Sequence, residues 1–309
     1  MSQVGALIDR SEAGGEQLDR PLPAWRSVLG STEGKIGLFL FVAVLVIIFL
    51  GPFVAPYSPT SIGVGPDNAA PSAQHLLGTD QLGRDVLSRF LTGGVEVIVL
   101  PLISVALALS VGGLLGMVGA YKGGITDLFA TRLFDLILTM PPLLLVIVLV
   151  ASVGSVVPNL GPLHQSTVVV ILSVALVYVP QFGRIVRGAA QAVVATDYVA
   201  AAIARGERTL PILIREFAPN VATPVMAEAA LRLTFAILFV ATLDFLGLGT
   251  QPPSSSWGLM VSDGRNLLTI APLVALAPAC GIAALCVSFN LLADAAARHL
   301  RHESVETRR

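Results

Sequence analysis

Glu228 and Arg232 are the residues whose chemistry most needs an explanation, because both lie in the apolar run 221–243, which is long enough to span a membrane. A charge at the centre of such a helix costs roughly 2.5–3.5 kcal/mol on insertion scales. Four residues apart, the two side chains share a helix face and can pair, with the acid on the favoured N-terminal side. The pattern fits a self-neutralising pair packed among helices. It also fits a face lining a water-filled path, where the pair would meet the charged termini of a zwitterionic solute.

Patterns for catalysis, nucleotide binding and metal binding are absent from the sequence. The nearest phosphate-loop decoy, GSTEGKI at residues 30–36, has one residue too few between its glycines and lacks the Mg²⁺-binding hydroxyl. His299 and His302 are i and i+3 in a charged tail, without a carboxylate or thiol cluster to complete a metal site. We therefore expect no catalytic residue, no metal and no cofactor in this chain.

Composition places the chain in a membrane. It is 54% hydrophobic and only 13% charged, with a mean hydropathy of +0.81, which is too apolar for a soluble domain of 309 residues. The formal net charge of −1 argues against a nucleic-acid partner, because phosphate-binding surfaces carry a basic excess. We expect an all-α membrane protein in contact with lipid.

Six apolar runs of spanning length predict six transmembrane helices. The first, residues 36–55, is too long and too far from the start to be the core of a secretory signal, so it is a retained anchor. The other windows are residues 97–120, 133–153, 167–182, 221–243 and 270–293. The predicted domains are a polar tail (1–35), the anchor helix (36–55), an external loop with an amphipathic helix (56–94), a transmembrane core (95–295) and a second tail (296–309).

The distribution of positive charge predicts the orientation. With the N-terminus inside, most of the 19 Lys and Arg fall in cytoplasmic segments, and the external segments hold only Arg84, Arg89 and Arg265. The positive-inside rule therefore places both termini in the cytoplasm.

Two external segments offer surfaces to a partner. In residues 75–94 the apolar side chains fall on one helical face and Arg84 and Asp85 lie elsewhere, which predicts an amphipathic helix along the outer membrane surface. In residues 244–269 frequent Gly and Pro exclude a spanning helix, and Trp257 suits an interfacial, re-entrant turn.

A polar insert, DYVAAAIARGERTLPILIREFAPN at residues 197–220, separates the fourth and fifth spans. Its first part is rich in small residues, can be capped by Thr196 and stops at Gly206, which predicts a short, stiff helix. A second short helical pattern follows. Because the predicted orientation places the insert in the cytoplasm, we interpret it as a docking device whose alanines allow close approach to a groove on a partner.

The insert resembles the EAA-type cytoplasmic loop of binding-protein-dependent ABC importer permeases, in which a small-residue helix ends at a glycine and a short apolar stretch and Pro-Asn follow. Three further stretches narrow the match: GTDQLGRDVLSR at 78–89, YKGGITDLFATRLFDLILTMPPLLL at 121–145 and DFLGLGTQPPSSSWG at 244–258. Together they resemble the C-type permease subunit of dipeptide and oligopeptide (peptide/nickel-type) importers, from the first span to about Arg298.

The resemblance implies a type I ABC permease fold of six helices, with a cytoplasmic coupling loop at about 190–220. It implies a non-catalytic, multi-pass subunit of the bacterial cytoplasmic membrane that forms half of the pathway for di- or oligopeptides. The implied partners are a second homologous permease subunit, one or two P-loop ATPase subunits that hold ATP and Mg²⁺, and an extracytoplasmic substrate-binding protein.

Candidate roles follow for three groups of residues. The ATPase-coupling residues are Asp197, Tyr198, Ala200, Ala201, Ala202, Ala204, Arg205, Gly206 and Leu210. The candidate pathway residues are Glu228, Arg232 and Asp244. The candidate contacts with the binding protein are Arg84, Asp85, Gln251 and Trp257.

Some residues depart from the family pattern, and alternatives stay open. Ala200 stands where the family's loop is expected to have an acidic residue. Asp244 stands where members of the family more often have a small hydroxyl residue, and Arg232 occupies a position that is not associated with a charge in the family. The same fold would also serve nickel chelates or another small solute. A different class is an ion-coupled secondary transporter with Glu228 as its proton carrier, although such a carrier has no need of the docking insert.

Overall fold

The structure is a computed structural model and describes residues 30–153 and 164–306, except for the side chains of residues 223 and 296–306. The tail predicted at 1–35 therefore lies largely outside the described residues. Most of the tail predicted at 296–309 is described by its backbone, which continues the last helix to Glu306. The α-helices are α1 (Thr32–Val54), α2 (Val86–Lys122), α3 (Gly124–Thr139), α4 (Pro142–Val153), α5 (Gln165–Val194), α6 (Asp197–Ala204), α7 (Thr209–Ile212), α8 (Ala218–Phe245), α9 (Trp257–Gly264) and α10 (Leu273–Glu306). A π-helical turn, Leu213–Phe217, joins α7 to α8, and a 3₁₀ turn, Arg265–Leu267, follows α9.

Five helices of the described chain, α1, α2, α5, α8 and α10, are long and apolar enough to cross a membrane. The pair α3 and α4 passes the same test together but is bent by 92°. Counted as one broken span, the pair brings the total to the six that the sequence predicts. We call the end of the bundle that carries residues 55–85 the loop end, and the end that carries residues 195–217 the insert end.

The third predicted span, 133–153, is not one straight helix. Met140 has extended backbone angles between α3 and α4, and Pro141 and Pro142 follow it. Proline lacks the amide donor and disfavours helical geometry in the residue before it, so two prolines in succession stop α3 and restart the helix in a new direction.

The fourth predicted span, 167–182, is too short. α5 continues through Pro180 to Val194. The hydropathy window ended at Arg184 and Arg187, but both side chains are neutralised by α3: Arg184 lies 2.5 Å from Asp135, and Arg187 forms two bonds of 2.5 and 2.6 Å with Asp127. With these two arginines paired, the last turns of α5 can pack beside α3.

The amphipathic helix predicted within residues 75–94 is not a separate surface element. Residues 86–94 form the first turns of α2, which runs without interruption into the span. Asp85 caps this helix by accepting hydrogen bonds from the backbone N–H of Ser88 at 2.8 Å and from its hydroxyl at 2.7 Å. Arg89 is only 1% exposed, so this stretch lies inside the fold and not along its surface.

The centre of the bundle is a close contact between α2 and α5. The Val179 carbonyl oxygen occupies the place that a Cβ on Gly112 would need, and the Gly183 carbonyl does the same at Gly116. Phe134 of α3 packs directly over Gly183. Small residues that allow backbones to touch are a common basis for helix packing in membranes, where water does not drive apolar association.

A second apolar cluster joins α1, α9 and α10 to the start of α2. At its centre Trp257 is fully buried, stacks on Phe90 with ring centroids 5.0 Å apart, and donates its indole N–H to the Phe90 carbonyl at 2.7 Å. Phe41 of α1 meets Phe289 of α10 edge to face. The predicted anchor helix is thus packed into the bundle along one side.

We predict opposite effects for alanine at two adjacent glycines of α2. Gly112→Ala should destabilise the protein by roughly 1–3 kcal/mol, because the new methyl group collides with the Val179 backbone. Gly113→Ala should be neutral or slightly stabilising, because its Cβ would meet no atom closer than 3.8 Å. Thermal unfolding of the detergent-purified variants measures both effects, and equal midpoints would contradict this account of the α2–α5 contact.

Candidate functional site

The insert forms a knob with an inner and an outer face. In α6, Val199 and Ala202 are buried at 1% and 0% exposure, whereas Ala200, Ala201 and Ala204 are exposed. Ala202, predicted among the coupling residues, shares the inner face with Val199 three positions away and packs toward the bundle, so it anchors α6, and its part in coupling stays a prediction.

The anchor is an apolar cluster at the insert end of the bundle. It gathers the last turns of α5, the inner face of α6, the π-helical turn and the first turns of α8. Its buried members are Val186, Ala190, Val193, Val199, Ala202, Ile212, Leu213, Phe217, Val221 and Val225. The knob is therefore held directly against the ends of the two spans that flank it.

The predicted boundaries of α6 are confirmed, although the cap differs. Gly206 has φ +73° and donates to the Ile203 carbonyl at 2.9 Å, which closes the helix in a conformation that favours glycine. Thr196 occupies the N-cap position, but its hydroxyl donates back to the Val193 carbonyl at 2.6 Å. Arg205 bonds Glu207 beyond the glycine.

The outer face of the knob is more apolar than its sequence suggested. Four large side chains are largely exposed there: Tyr198 at 40%, Ile203 at 51%, Leu210 at 58% and Ile214 at 60%. Tyr198, Leu210 and the exposed Asp197 are among the predicted coupling residues, whereas Ile203 and Ile214, which are at least as exposed as Tyr198, are not. The sequence signal for this apolar face is Ile203, an isoleucine of α6 that does not share the face of Val199 and Ala202.

The chain leaves the knob as a continuous helical rod. Ile212 and Ala218 have right-handed helical backbone angles on either side of the π-helical turn, and α8 follows directly. The helical path from Thr209 to Phe245 therefore joins the knob to the span that carries Glu228 and Arg232.

Glu228 and Arg232 form the predicted pair within α8, with Arg232 Nε donating to Glu228 Oε1 at 2.6 Å. Their side chains are 22% and 29% exposed, so neither is sealed in the core. Arg232 lines a cavity of about 400 Å³ between α5, α8 and the start of α4. The other lining residues are Pro142, Val177, Tyr178, Gln181, Phe235, Leu238, Phe239 and Thr242.

Asp244, the third predicted pathway residue, does not line this cavity and is only 1% exposed. It accepts hydrogen bonds from the backbone N–H and hydroxyl of Thr250, at 2.7 and 3.1 Å, and from the Ser256 hydroxyl. These bonds close the turn between α8 and α9, and this placement argues for a structural role over the predicted pathway role.

The residues predicted to contact a binding protein are placed unequally. Arg84, Asp85 and Trp257 are 8%, 1% and 0% exposed, so in this conformation they are covered by other parts of the chain. Gln251 is exposed and lines a second cavity, of about 560 Å³, together with Glu96. Of the four residues, Gln251 is therefore the one that is accessible for a contact with a binding protein at the loop end, and that contact stays a prediction.

Arg84 belongs to a buried ion cluster that sequence reasoning missed. Asp80, 0% exposed, accepts bonds from Arg84 Nε at 2.7 Å and from Arg89 Nη1 at 2.6 Å. Asp263 of α9 meets the same two guanidinium groups at 3.4 and 3.1 Å. His75 pairs with Asp85 at 2.9 Å beside this cluster. The cluster fastens the loop before α2 to α9, far away in the sequence.

Within the described residues, no group of three His, Cys, Asp or Glu side chains is arranged to hold a metal ion. The side chains of His299 and His302 fall outside the described residues. Cys280 and Cys286 are free thiols, with Cys280 exposed and Cys286 buried.

Residues 108–302 match the family model described as "Binding-protein-dependent transport system inner membrane component". The match runs from the middle of α2 into α10 and includes the insert and the cavity beside Arg232.

Curated relatives match over most of the chain. A dipeptide transport system permease protein of Alkalihalophilus pseudofirmus is 33% identical over 84% of this chain and 82% of the relative. A probable D,D-dipeptide transport system permease protein of Escherichia coli is 34% identical over 86% of each chain. A glutathione transport system permease protein of Pectobacterium atrosepticum is 34% identical over 87% of each chain.

We predict that Asp80→Asn destabilises the protein by roughly 3–5 kcal/mol, because it removes the buried carboxylate that Arg84 and Arg89 share and leaves the two cations with Asp263 as their one acidic partner in the cluster. The matched control is Asp67→Asn, the same change at an exposed position in the same loop, which should alter stability by less than about 0.5 kcal/mol. Chemical or thermal unfolding of the purified variants measures the difference. Similar losses in both would show that the cluster does not hold the loop.

Proposed function

Because this chain belongs to the family of binding-protein-dependent transport system inner membrane components, we propose that it forms one half of the translocation pathway of an ATP-driven importer of short peptides. The chain is a multi-pass permease subunit with the type I ABC permease fold. The peptide cargo is supported by the relatives, whose names specify dipeptides, D,D-dipeptides and glutathione.

The observation that carries the mechanism is the apolar outer face of the knob, mounted on the ends of α5 and α8. Exposed side chains such as Ile203 and Leu210 are costly in water and suit a groove on a partner. We propose that this partner is a P-loop ATPase subunit and that ATP and Mg²⁺ bind to that subunit and not to this chain. Movement of the ATPases would then tilt α5 and α8 and alternate access to the path.

The remaining partners are proposed on the same basis. A second homologous permease would complete the pathway on the open side of the cavity beside Arg232. An extracytoplasmic substrate-binding protein would deliver cargo at the loop end, near Gln251. Both termini would lie in the cytoplasm, as the distribution of Lys and Arg requires.

Affinity purification through a C-terminal tag tests the assembly, and reconstitution of the recovered complex tests the cargo. We expect a second permease, one or two P-loop ATPases and a binding protein to copurify. Uptake of a labelled dipeptide into liposomes should require ATP and persist with a protonophore. Uptake of a nickel chelate in preference to dipeptides would refute the cargo, and uptake that survives ATP depletion but collapses with the protonophore would refute the class.

We predict that Ile203→Asp leaves membrane insertion intact but lowers substrate-stimulated ATP hydrolysis by the assembled complex at least tenfold, because a charge replaces an exposed apolar contact. The control is Thr126→Asp, which introduces the same charge at an exposed position of α3 near the insert end. It should hydrolyse ATP at the wild-type rate. Unimpaired hydrolysis in Ile203→Asp would remove the outer face of the knob from the coupling mechanism.

A further inference from the structure

The cavity beside Arg232 presents a positive charge that the pairing with Glu228 does not fully occupy. Nε and Nη2 of Arg232 both contact the same oxygen of Glu228, which leaves Nη1 for another acceptor. Arg232 is the charged residue in the cavity wall, whereas Glu228 is not part of that wall. A solute in the cavity therefore meets the guanidinium and not the carboxylate.

Gln181 supplies a second polar group from the opposite helix. Its Oε1 is buried and has no hydrogen-bond partner among the described residues, while its Nε2 makes only a long contact of 3.5 Å to the Val177 carbonyl. A buried acceptor without a donor is unfavourable. Because Gln181 lines the cavity, a rotation of its side-chain amide would turn Oε1 toward an N–H group of a solute there. Gln181 and Arg232 both lie near the middle of their spans, at the depth where a path must be polar.

The broken span adds to the positive character of the site. Pro142, the first residue of the 12-residue helix α4, lines the cavity, so the positive end of the α4 dipole lies at its edge. The rest of the wall is largely apolar, with Val177, Phe235 and Phe239 among its side chains. The site thus combines a cation, an acceptor and an apolar surface.

We propose that this cavity binds the C-terminal carboxylate of a short peptide in transit, with Arg232 as the carboxylate-binding residue. Gln181 accepts a hydrogen bond from a peptide N–H, and the aromatic wall takes an apolar side chain. This inference rests on the peptide-import function proposed above and adds a recognition step inside the membrane.

The test compares the dipeptide Ala-Phe with its C-terminal amide, each at a concentration that saturates the binding protein, in liposomes containing the complete importer. The measured quantity is the ratio of ATP-dependent uptake rates, acid over amide. Arg232→Gln should lower this ratio roughly tenfold, because it removes a charge-assisted hydrogen bond to the carboxylate alone. Discrimination by the binding protein is the same in both transporters and cancels.

Three further variants separate recognition from folding. Arg232→Lys keeps a cation and should retain most of the ratio, and Glu228→Gln should also retain it. The double variant Glu228→Gln with Arg232→Gln leaves no unpaired charge in α8 and should lose the ratio as the single Arg232→Gln variant does. An unchanged ratio in the Arg232→Gln variants, or equal losses for acid and amide, would overturn the proposal.

A second readout uses no variant and no binding protein. Phenylglyoxal labels accessible arginines, and its attachment to Arg232 in the assembled complex is measured by mass spectrometry. Free Ala-Phe should protect Arg232 and the amide should not; equal protection by both, or by neither, would overturn the carboxylate site. If the wild-type importer takes up neither compound, the proposed peptide function fails instead.

Discussion

Charges removed from water must be neutralised nearby, and this constraint governs how the bundle is held together. Most of the acids that the described structure places against an arginine in the helical bundle or its caps join separate elements. The pairs are Asp80 and Asp263 with Arg84 and Arg89, Asp127 with Arg187, Asp135 with Arg184, and Glu228 with Arg232. The first three sets connect elements that are far apart in the sequence.

The last pair differs because both residues belong to one helix. The cluster around Asp80 fixes α9 to the start of α2, and the Asp127 pair fixes α3 to the end of α5, so both ends of the bundle are braced. Among the described residues, the ion pair of Glu228 and Arg232 connects two positions of α8 and no second element. Arg232 can therefore exchange a partner without loosening the fold, which suits a residue that meets solutes in passing.

The sequence was most informative where a local pattern decides the structure. The small residues before Gly206 predicted α6, and the i, i+4 spacing predicted the pair in α8; both are confirmed. It was less informative where distant residues decide. Besides Asp80, Arg84 contacts Asp263, 179 positions away, and no local pattern predicts that second contact. Hydropathy windows likewise treated Arg187 as a helix end because its acidic partner lies on another helix.

The inward faces explain the remaining differences. Ala202 looks like its neighbours in the sequence, and only the docking of α6 on α5 and the π-helical turn separates it from the exposed alanines. Asp244 resembles another membrane charge until Thr250 and Ser256 fold back over it. In each case residue type predicts the chemistry that is available, and tertiary packing decides whether that chemistry faces a partner or the core.

The helical path from Thr209 to Phe245, which continues through the π-helical turn, connects the knob to the charged cavity within one segment of the chain. Arg232 lies about 35 Å from the start of this helical path at 1.5 Å per residue. Over that length a tilt of about 10° at the knob displaces the guanidinium by roughly 6 Å, which is more than the reach of a hydrogen bond. The site would then release its ligand by leverage, with no chemical change at the arginine itself.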